Sequence, residues 1–167
     1  MSAWDEYVNQ VMHKYDFDTN AVLTENMCTA VAIYGHDGAA WAFTADFPEL
    51  LTYDFTVEGM CEADNVTVNV NEVDVANKAG QGERAPAGAA GIRLGNKKYM
   101  FVAHNPDSKV TMLSCTGGGA AIANINGASI IAFYDKNKCD SAGKNQSPGN
   151  VAAQVETMHA FLSGEGY

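Results

Sequence analysis

Between residues 91 and 134 the chain reads GIRLGNKKYMFVAHNPDSKVTMLSCTGGGAAIANINGASIIAFY, and this stretch decides the fold. Five runs rich in apolar and β-branched residues, Gly91 to Leu94, Lys97 to His104, Lys109 to Cys115, Ala120 to Asn126 and Ser129 to Tyr134, are separated by turn-forming clusters. Those clusters are Gly95-Asn96, Asn105-Pro106-Asp107, Gly117-Gly118-Gly119 and Asn126-Gly127. Loops of this length join antiparallel neighbours, because a parallel pair needs a crossover of a dozen or more residues. The sequence therefore predicts an antiparallel meander.

Downstream of the meander lies a polar, Gly-containing loop, and Pro148 then suits the first turn of a helix. Val151, Val155, Met158 and Leu162 fall on one stripe of it. Upstream, Cys28 to Tyr34 and Ala39 to Thr44 flank the turn Gly35-His36-Asp37-Gly38 and read as a hairpin, closed by Phe47-Pro48-Glu49-Leu50. Residues from about Leu51 to Asn65 are acidic and contain aromatics without clear periodicity, and read as an inserted loop or hairpin. Val66 to Val70 alternates like a short strand, and Asn71 caps a helix through Lys78 that ends at Gly80 and Gly82. At the start, Ser2 and Asp5 have capping-box spacing. Trp4, Tyr7, Val8, Val11, Met12 and Tyr15 form one helical stripe that ends before Asp16-Phe17-Asp18. The fold class expected is α+β, one domain over residues 1–167. The two terminal helices should pack side by side on one face of a central antiparallel sheet, with a shorter helix and loop on the other.

Bulk properties narrow the function. A 167-residue chain with 47% apolar residues can bury one continuous core. Acidic residues outnumber basic ones 20 to 10, and the net charge of −10 argues against nucleic acid and anionic lipid as partners. The N-terminal residues carry no basic and apolar leader pattern, and no apolar run approaches the roughly 20 residues of a membrane span. A cytoplasmic protein without a membrane span is expected. Cys28, Cys61, Cys115 and Cys139 form no C-x-x-C pair and read as reduced, structural thiols. The sequons at Asn65 and Asn145 have no secretory route to serve. Asp16-Phe17-Asp18-Thr19-Asn20 begins like a calcium loop, but Ala21 replaces the glycine and Met27 the closing glutamate. Gly117-Gly118-Gly119 lacks the following lysine and hydroxyl residue of a phosphate loop. His13, His36, His104 and His159 have no local motif pairing them with a cysteine as base and nucleophile. No cofactor, metal or catalytic activity is expected.

Several segments together resemble the profilin family. Trp4-Asp5-Glu6-Tyr7 is similar to its Trp-x-x-Tyr start, and Gly35-His36-Asp37-Gly38-Ala39-Ala40-Trp41-Ala42 to its G-x-D-G-x-x-W-A hairpin. Leu94-Gly95-Asn96-Lys97-Lys98-Tyr99 is similar to its L-G-x-x-K-Y strand entry. Gly118-Gly119-Ala120, Phe133-Tyr134-Asp135 and the stretch from Phe161-Leu162 to Gly166-Tyr167 follow in the same order. The segment around residues 51–65 has no counterpart in the short animal and plant forms and resembles the longer middle region of some protist profilins.

The resemblance implies a cytoskeleton-associated protein that binds monomeric actin and proline-rich proteins such as formins, and so regulates actin polymerisation. It implies a proline-rich-peptide groove built by Trp4, Tyr7, Trp41, Phe161, Leu162 and Tyr167. Aromatic faces with N–H or O–H groups suit a polyproline II ligand, which is pre-ordered and poor in donors. Aromatics at helical spacing also serve as core; the terminal position of Trp4 and Tyr7 and the edge position of Phe161 favour the groove. The resemblance further implies an actin-binding face including Lys97, Lys98, Tyr99, His104, Cys115 and Ala153. Taken alone, Lys97 and Lys98 read as a solvated strand edge. Basic residues that the family often carries are missing before Gly118-Gly119-Ala120 and at Ala152-Ala153, which lowers the expected affinity. With Lys97-Lys98 as the one adjacent basic pair, phosphoinositide binding is expected to be poor. A small α+β ligand-sensing or protein-interaction domain without actin binding is the alternative, in which the aromatics would line an internal pocket.

Overall fold

The computed structural model describes residues 2–167. Helix α1 (Ala3–Met12) starts at a reciprocal capping box, with Ser2 Oγ accepting from the Asp5 amide and the Asp5 carboxylate accepting from the Ser2 amide. A small hairpin follows, β1 (Lys14–Asp16) with β2 (Ala21–Thr24). Next come β3 (Ala30–Gly35), β4 (Ala40–Phe43), β5 (Thr52–Val57), β6 (Val66–Asn71), helix α2 (Glu72–Gly80) and β7 (Ile92–Leu94). The meander is β8 (Lys97–His104), β9 (Val110–Cys115), β10 (Gly118–Ile125) and β11 (Ala128–Asp135), and helix α3 (Pro148–Gly164) ends the chain.

Seven strands form one antiparallel sheet in the order β4-β3-β11-β10-β9-β8-β7. Gly95 and Asn96, both at positive φ (60° and 57°), make the two-residue turn from β7 to β8 whose twist matches a hairpin. In β3, β10 and β11 nearly every residue is buried, because both faces of the central sheet are covered. On one face α1 and α3 bring Val8, Val11, Val151, Val155, Met158 and Leu162 onto Val31, Ile33, Ala121, Ala123 and Ile130. On the other, α2 and the flanking loops pack Val73, Ala76, Ala79, Leu50 and Phe47 onto Ala32, Leu113, Ile122, Ile131 and Phe133. The expected pairing of the terminal helices on one face is present, with the shorter helix opposite.

Two expectations need correction. The first helix does not reach Tyr15: His13 is extended (φ −124°, ψ 149°), and Tyr15 lies in β1. Carbonyl oxygens at this helix end are met from α3, where Gln154 Nε2 donates to Gln10, Val11 and His13 at 3.2, 3.1 and 2.8 Å. The second concerns the middle segment. Thr52–Val57 does alternate, with Tyr53, Phe55 and Val57 half-buried, and pairs residue for residue with Val66–Asn71 as a long hairpin. The strand expected alone at Val66 to Val70 is its second arm.

Glu72, the first residue of α2, pins this hairpin. It is fully buried, and its carboxylate accepts from the Leu51 amide (2.9 Å), the Tyr53 hydroxyl (2.8 Å) and the amides of Gly95 (3.1 Å) and Asn96 (2.9 Å). Four donors replace the water this anion would otherwise hold, which offsets its desolvation. Arg93 adds a second link, lying 4.2 Å over the Phe55 ring and donating to the Tyr53 hydroxyl oxygen at 3.3 Å.

Candidate functional site

Five aromatic rings meet where the chain begins and ends. Trp4 and Tyr7 stand one turn apart on α1, their ring centroids 5.5 Å apart and nearly perpendicular. Trp41 reaches Trp4 from β4 at 4.7 Å, Phe161 reaches Tyr7 from α3 at 5.7 Å, and Tyr167 meets Trp4 edge-on at 5.1 Å. Offset and edge-to-face contacts of this kind fix the rings against one another. Trp4, Tyr7 and Trp41 are half-buried, whereas Phe161 and Tyr167 are 44% and 46% exposed. The indole N–H groups of Trp4 and Trp41 and the hydroxyls of Tyr7 and Tyr167 make no hydrogen bond within the described residues.

Local backbone features aim these rings. Ile33 pairs with Ala42 but Tyr34 with Ala40, so Trp41 is the extra residue of a β-bulge. A bulge re-aims its side chain, here toward α1 together with Ala42. Gly35 leaves room for the indole, since a Cβ there would lie 2.6 Å from Trp41 Nε1. At the other end α3 finishes in a Schellman turn. Gly166 sits at φ 98°, its amide donates to Ser163 at 3.2 Å, and the Tyr167 amide donates to Leu162 at 2.9 Å. The turn folds Tyr167 back onto Trp4. Leu162 is a correction: it is fully buried, because it lies on the core stripe of α3, and it supports the rings from beneath without a surface of its own.

The residues expected on the actin-binding face are split. Lys97 and Lys98 are both exposed, but successive strand residues point to opposite faces. Lys97 lies 6.0 Å from the Tyr99 ring centroid and lines with Cys115 an open hollow of about 250 Å³ on one side. Tyr99 is buried, and desolvation pushes its phenol pKa up, so its ring is core. His104 is the last residue of β8, away from that hollow, with Nδ1 2.7 Å from Thr111 Oγ1. Ala153 is exposed, but two residues beyond core-facing Val151 it points away from the sheet. Only Lys98 of the set shares the helix-side face of β8 with its bare apolar residues, Met100 (67% exposed) and Val102 (56%). Val102 is the extra residue of a second bulge, between Phe101 and Ala103. Exposed apolar residues on a strand that no helix covers are the signal that charge-based reasoning missed.

Cys28 is fully buried, donates to the Val11 carbonyl at 3.4 Å, and burial pushes its thiol up to about 12, which makes it a poor nucleophile. Among the described residues no cluster of His, Cys, Asp or Glu could hold a metal ion. No described helix is long and apolar enough to cross a membrane.

A double-faced antiparallel sheet whose joined chain ends carry an open aromatic surface defines a small α+β protein built for docking. The match to known proteins names the group. The profilin family model covers residues 2–167, and the chain belongs to the profilin family. It is 32% identical to profilin of Tetrahymena pyriformis over 169 residues, spanning 100% of both chains. The fold is similar to that of mouse profilin IIa, solved in complex with a double repeat from the FH1 domain of mDia1 (TM-score 0.58, 17% identity, 99% of this chain and 100% of that one). It is also similar to LokiProfilin2, solved in complex with rabbit actin (TM-score 0.56, 16% identity, 97% of each chain).

Proposed function

We propose that this profilin binds proline-rich segments, such as those of formins, on the rings of Trp4, Tyr7, Trp41, Phe161 and Tyr167, and monomeric actin on the β8–β9 face around Lys98, Met100 and Val102. It thereby regulates actin polymerisation in the cytoplasm. The observation that carries the reading is the convergence of five rings from both chain ends and β4 on an open surface, where the polar tips of Trp4, Tyr7, Trp41 and Tyr167 make no hydrogen bond among the described residues. A polyproline II segment offers ring faces and unpaired carbonyl oxygens, the complement of such a surface. The complexes of the mouse and Loki relatives support both partners. No catalytic step is assigned to any residue. An internal sensor pocket is disfavoured because the rings open outward. We read residues 1–167 as one domain, with an insertion over about residues 51–65, the β5 arm and the tip of the β5–β6 hairpin.

A titration with an oligoproline peptide tests the groove. Trp4 and Trp41 should report binding as a saturable shift in emission, little affected by moderate salt. Tyr7→Ala should abolish the shift and leave the fold intact. A folded Tyr7→Ala protein that binds as wild type would remove the helix-end surface from consideration.

A further inference from the structure

The hairpin β1–β2 leaves apolar groups in water: Phe17 is 62% exposed, Leu23 57% and Val22 45%. Phe17 is not a loose loop residue. Asp16 Oδ1 accepts from the amides of Asp18 (2.9 Å) and Thr19 (3.3 Å), and Asn20 closes the turn at φ 55°. So held, Phe17 forms with Tyr15, Gln10, Met158 and Phe161 the wall of a hollow of about 100 Å³ between the hairpin and α3. Phe161 belongs to both surfaces, since it also meets Tyr7 at 5.7 Å. The Tyr15 hydroxyl makes no hydrogen bond within the described residues, as in the ring cluster.

We infer that the hairpin extends the proline-rich groove, so that Tyr15 and Phe17 form an additional subsite beyond Phe161 for a longer polyproline II segment of the same ligand. This rests on the helix-end groove proposed above. Continuity decides the occupant: Trp41, Trp4, Tyr7 and Phe161 follow one another at 4.7, 5.5 and 5.7 Å, and Phe161, the last of them, also lines the hollow. At about 3.1 Å per residue, a segment of about five or six prolines covers those four rings. A few more residues reach the hollow. Aromatic walls and an unpaired hydroxyl offer there what the first four rings offer, apolar faces and donors for carbonyl oxygens.

The test compares oligoproline peptides of about six and about ten residues, chosen from that rise per residue, on wild type, Phe17→Ala and Leu23→Ser. Leu23 shares the hairpin but does not line the hollow. Wild type should bind the longer peptide more tightly than added statistical sites explain. Phe17→Ala should weaken the longer peptide by roughly 3- to 10-fold, the scale of one aromatic contact, and leave the shorter one unchanged. Leu23→Ser should match wild type for both. Equal affinity of Phe17→Ala and wild type for the longer peptide would overturn the subsite. So would equal losses in Phe17→Ala and Leu23→Ser, which would show a general effect of the hairpin. Sedimentation that shows self-association removed by Phe17→Ala, with peptide affinity untouched, would assign the surface to a second copy of the chain. Failure of wild type to bind either peptide would instead sink the underlying groove.

Discussion

Replacing Gly166 by alanine should detach Tyr167 from the ring cluster while leaving the fold in place. Gly166 holds φ 98°, where a side chain costs roughly 1–2 kcal/mol. The competing state frees the last two residues and gives up two exposed backbone hydrogen bonds, Gly166 to Ser163 and Tyr167 to Leu162, each worth about 1 kcal/mol net. Release also forfeits the Tyr167–Trp4 contact but returns about 1–2 kcal/mol of backbone freedom for each of the two freed residues, so the balance is close and the tail of the alanine variant should be released in a large share of molecules. What is then lost is the edge contact of Tyr167 with Trp4, worth about 0.5–1.5 kcal/mol, and a similar contact with the ligand. Oligoproline affinity, read by tryptophan emission, should fall by roughly 2- to 10-fold. A protein lacking Tyr167 should set the limit of this loss. The melting temperature should stay nearly constant, since Leu162 and the core stripe of α3 are untouched. If removing Tyr167 weakens binding but Gly166→Ala binds as wild type, the Schellman turn does not position the ring and the argument fails.

Glu72→Gln should lower stability by about 3–5 kcal/mol, because one of two buried oxygens that each accept two bonds becomes a donor facing donors. Thermal unfolding should show this as a drop of about 10 °C, against peptide binding within twofold of wild type; an unchanged melting point would mean the carboxylate is dispensable. Raising the pH should destabilise the fold. Burial raises the pKa of Cys28, Tyr99 and Tyr134, so the unfolded chain ionises first, and stability that is full below the unfolded values is lost as pH climbs through and above them. Melts between pH 8 and 11 should fall steadily and fall less in Cys28→Ala; a flat profile would contradict the burial of these groups. Actin binding should be weak and sensitive to salt, given the net charge of −10. Lys98→Glu and Met100→Ser should each weaken it in a sedimentation or fluorescence titration, and wild-type affinity in both would move the interface elsewhere. Phosphoinositide vesicles should bind poorly at physiological salt, and strong co-sedimentation would refute this.

The framework was legible because its signals are local. Capping by Ser2 and Asn71, Pro148 at the start of α3 and the paired turns of the meander all act within a few residues, and each appears at or next to its expected place. Long-range effects were not legible. The end of α1 depends on Gln154, which lies in α3, so the apolar stripe alone carried the expected helix past Met12 to Tyr15. The alternation of Tyr53, Phe55 and Val57 was present but obscured by Asp54 and the acidic tip, and its meaning comes from pairing with Val66–Asn71. For the site, residue identities placed the rings but not how they are aimed. A bulge turns Trp41 toward α1, helix phase buries Leu162, and strand alternation separates Lys97 from Lys98. Only the bulge lies outside the sequence pattern: the stripe shared with Val151, Val155 and Met158 already turned Leu162 inward, and strand alternation already parted the two lysines.

The anchoring of the β5–β6 hairpin through Glu72 divides labour along that segment. Its buried polar anchors lie at its base, at Leu51, Tyr53 and the Gly95-Asn96 turn, and Phe55, Val57 and Val68 pack its inner face on the core, while Met60 at the far end is fully in water. The hairpin is thus a handle held along its inner face and bare at its tip. A fluorophore or affinity tag placed near Met60 would ride on a held arm whose inner face belongs to the core on the other side of the sheet from the aromatic rings, and so would leave those rings untouched.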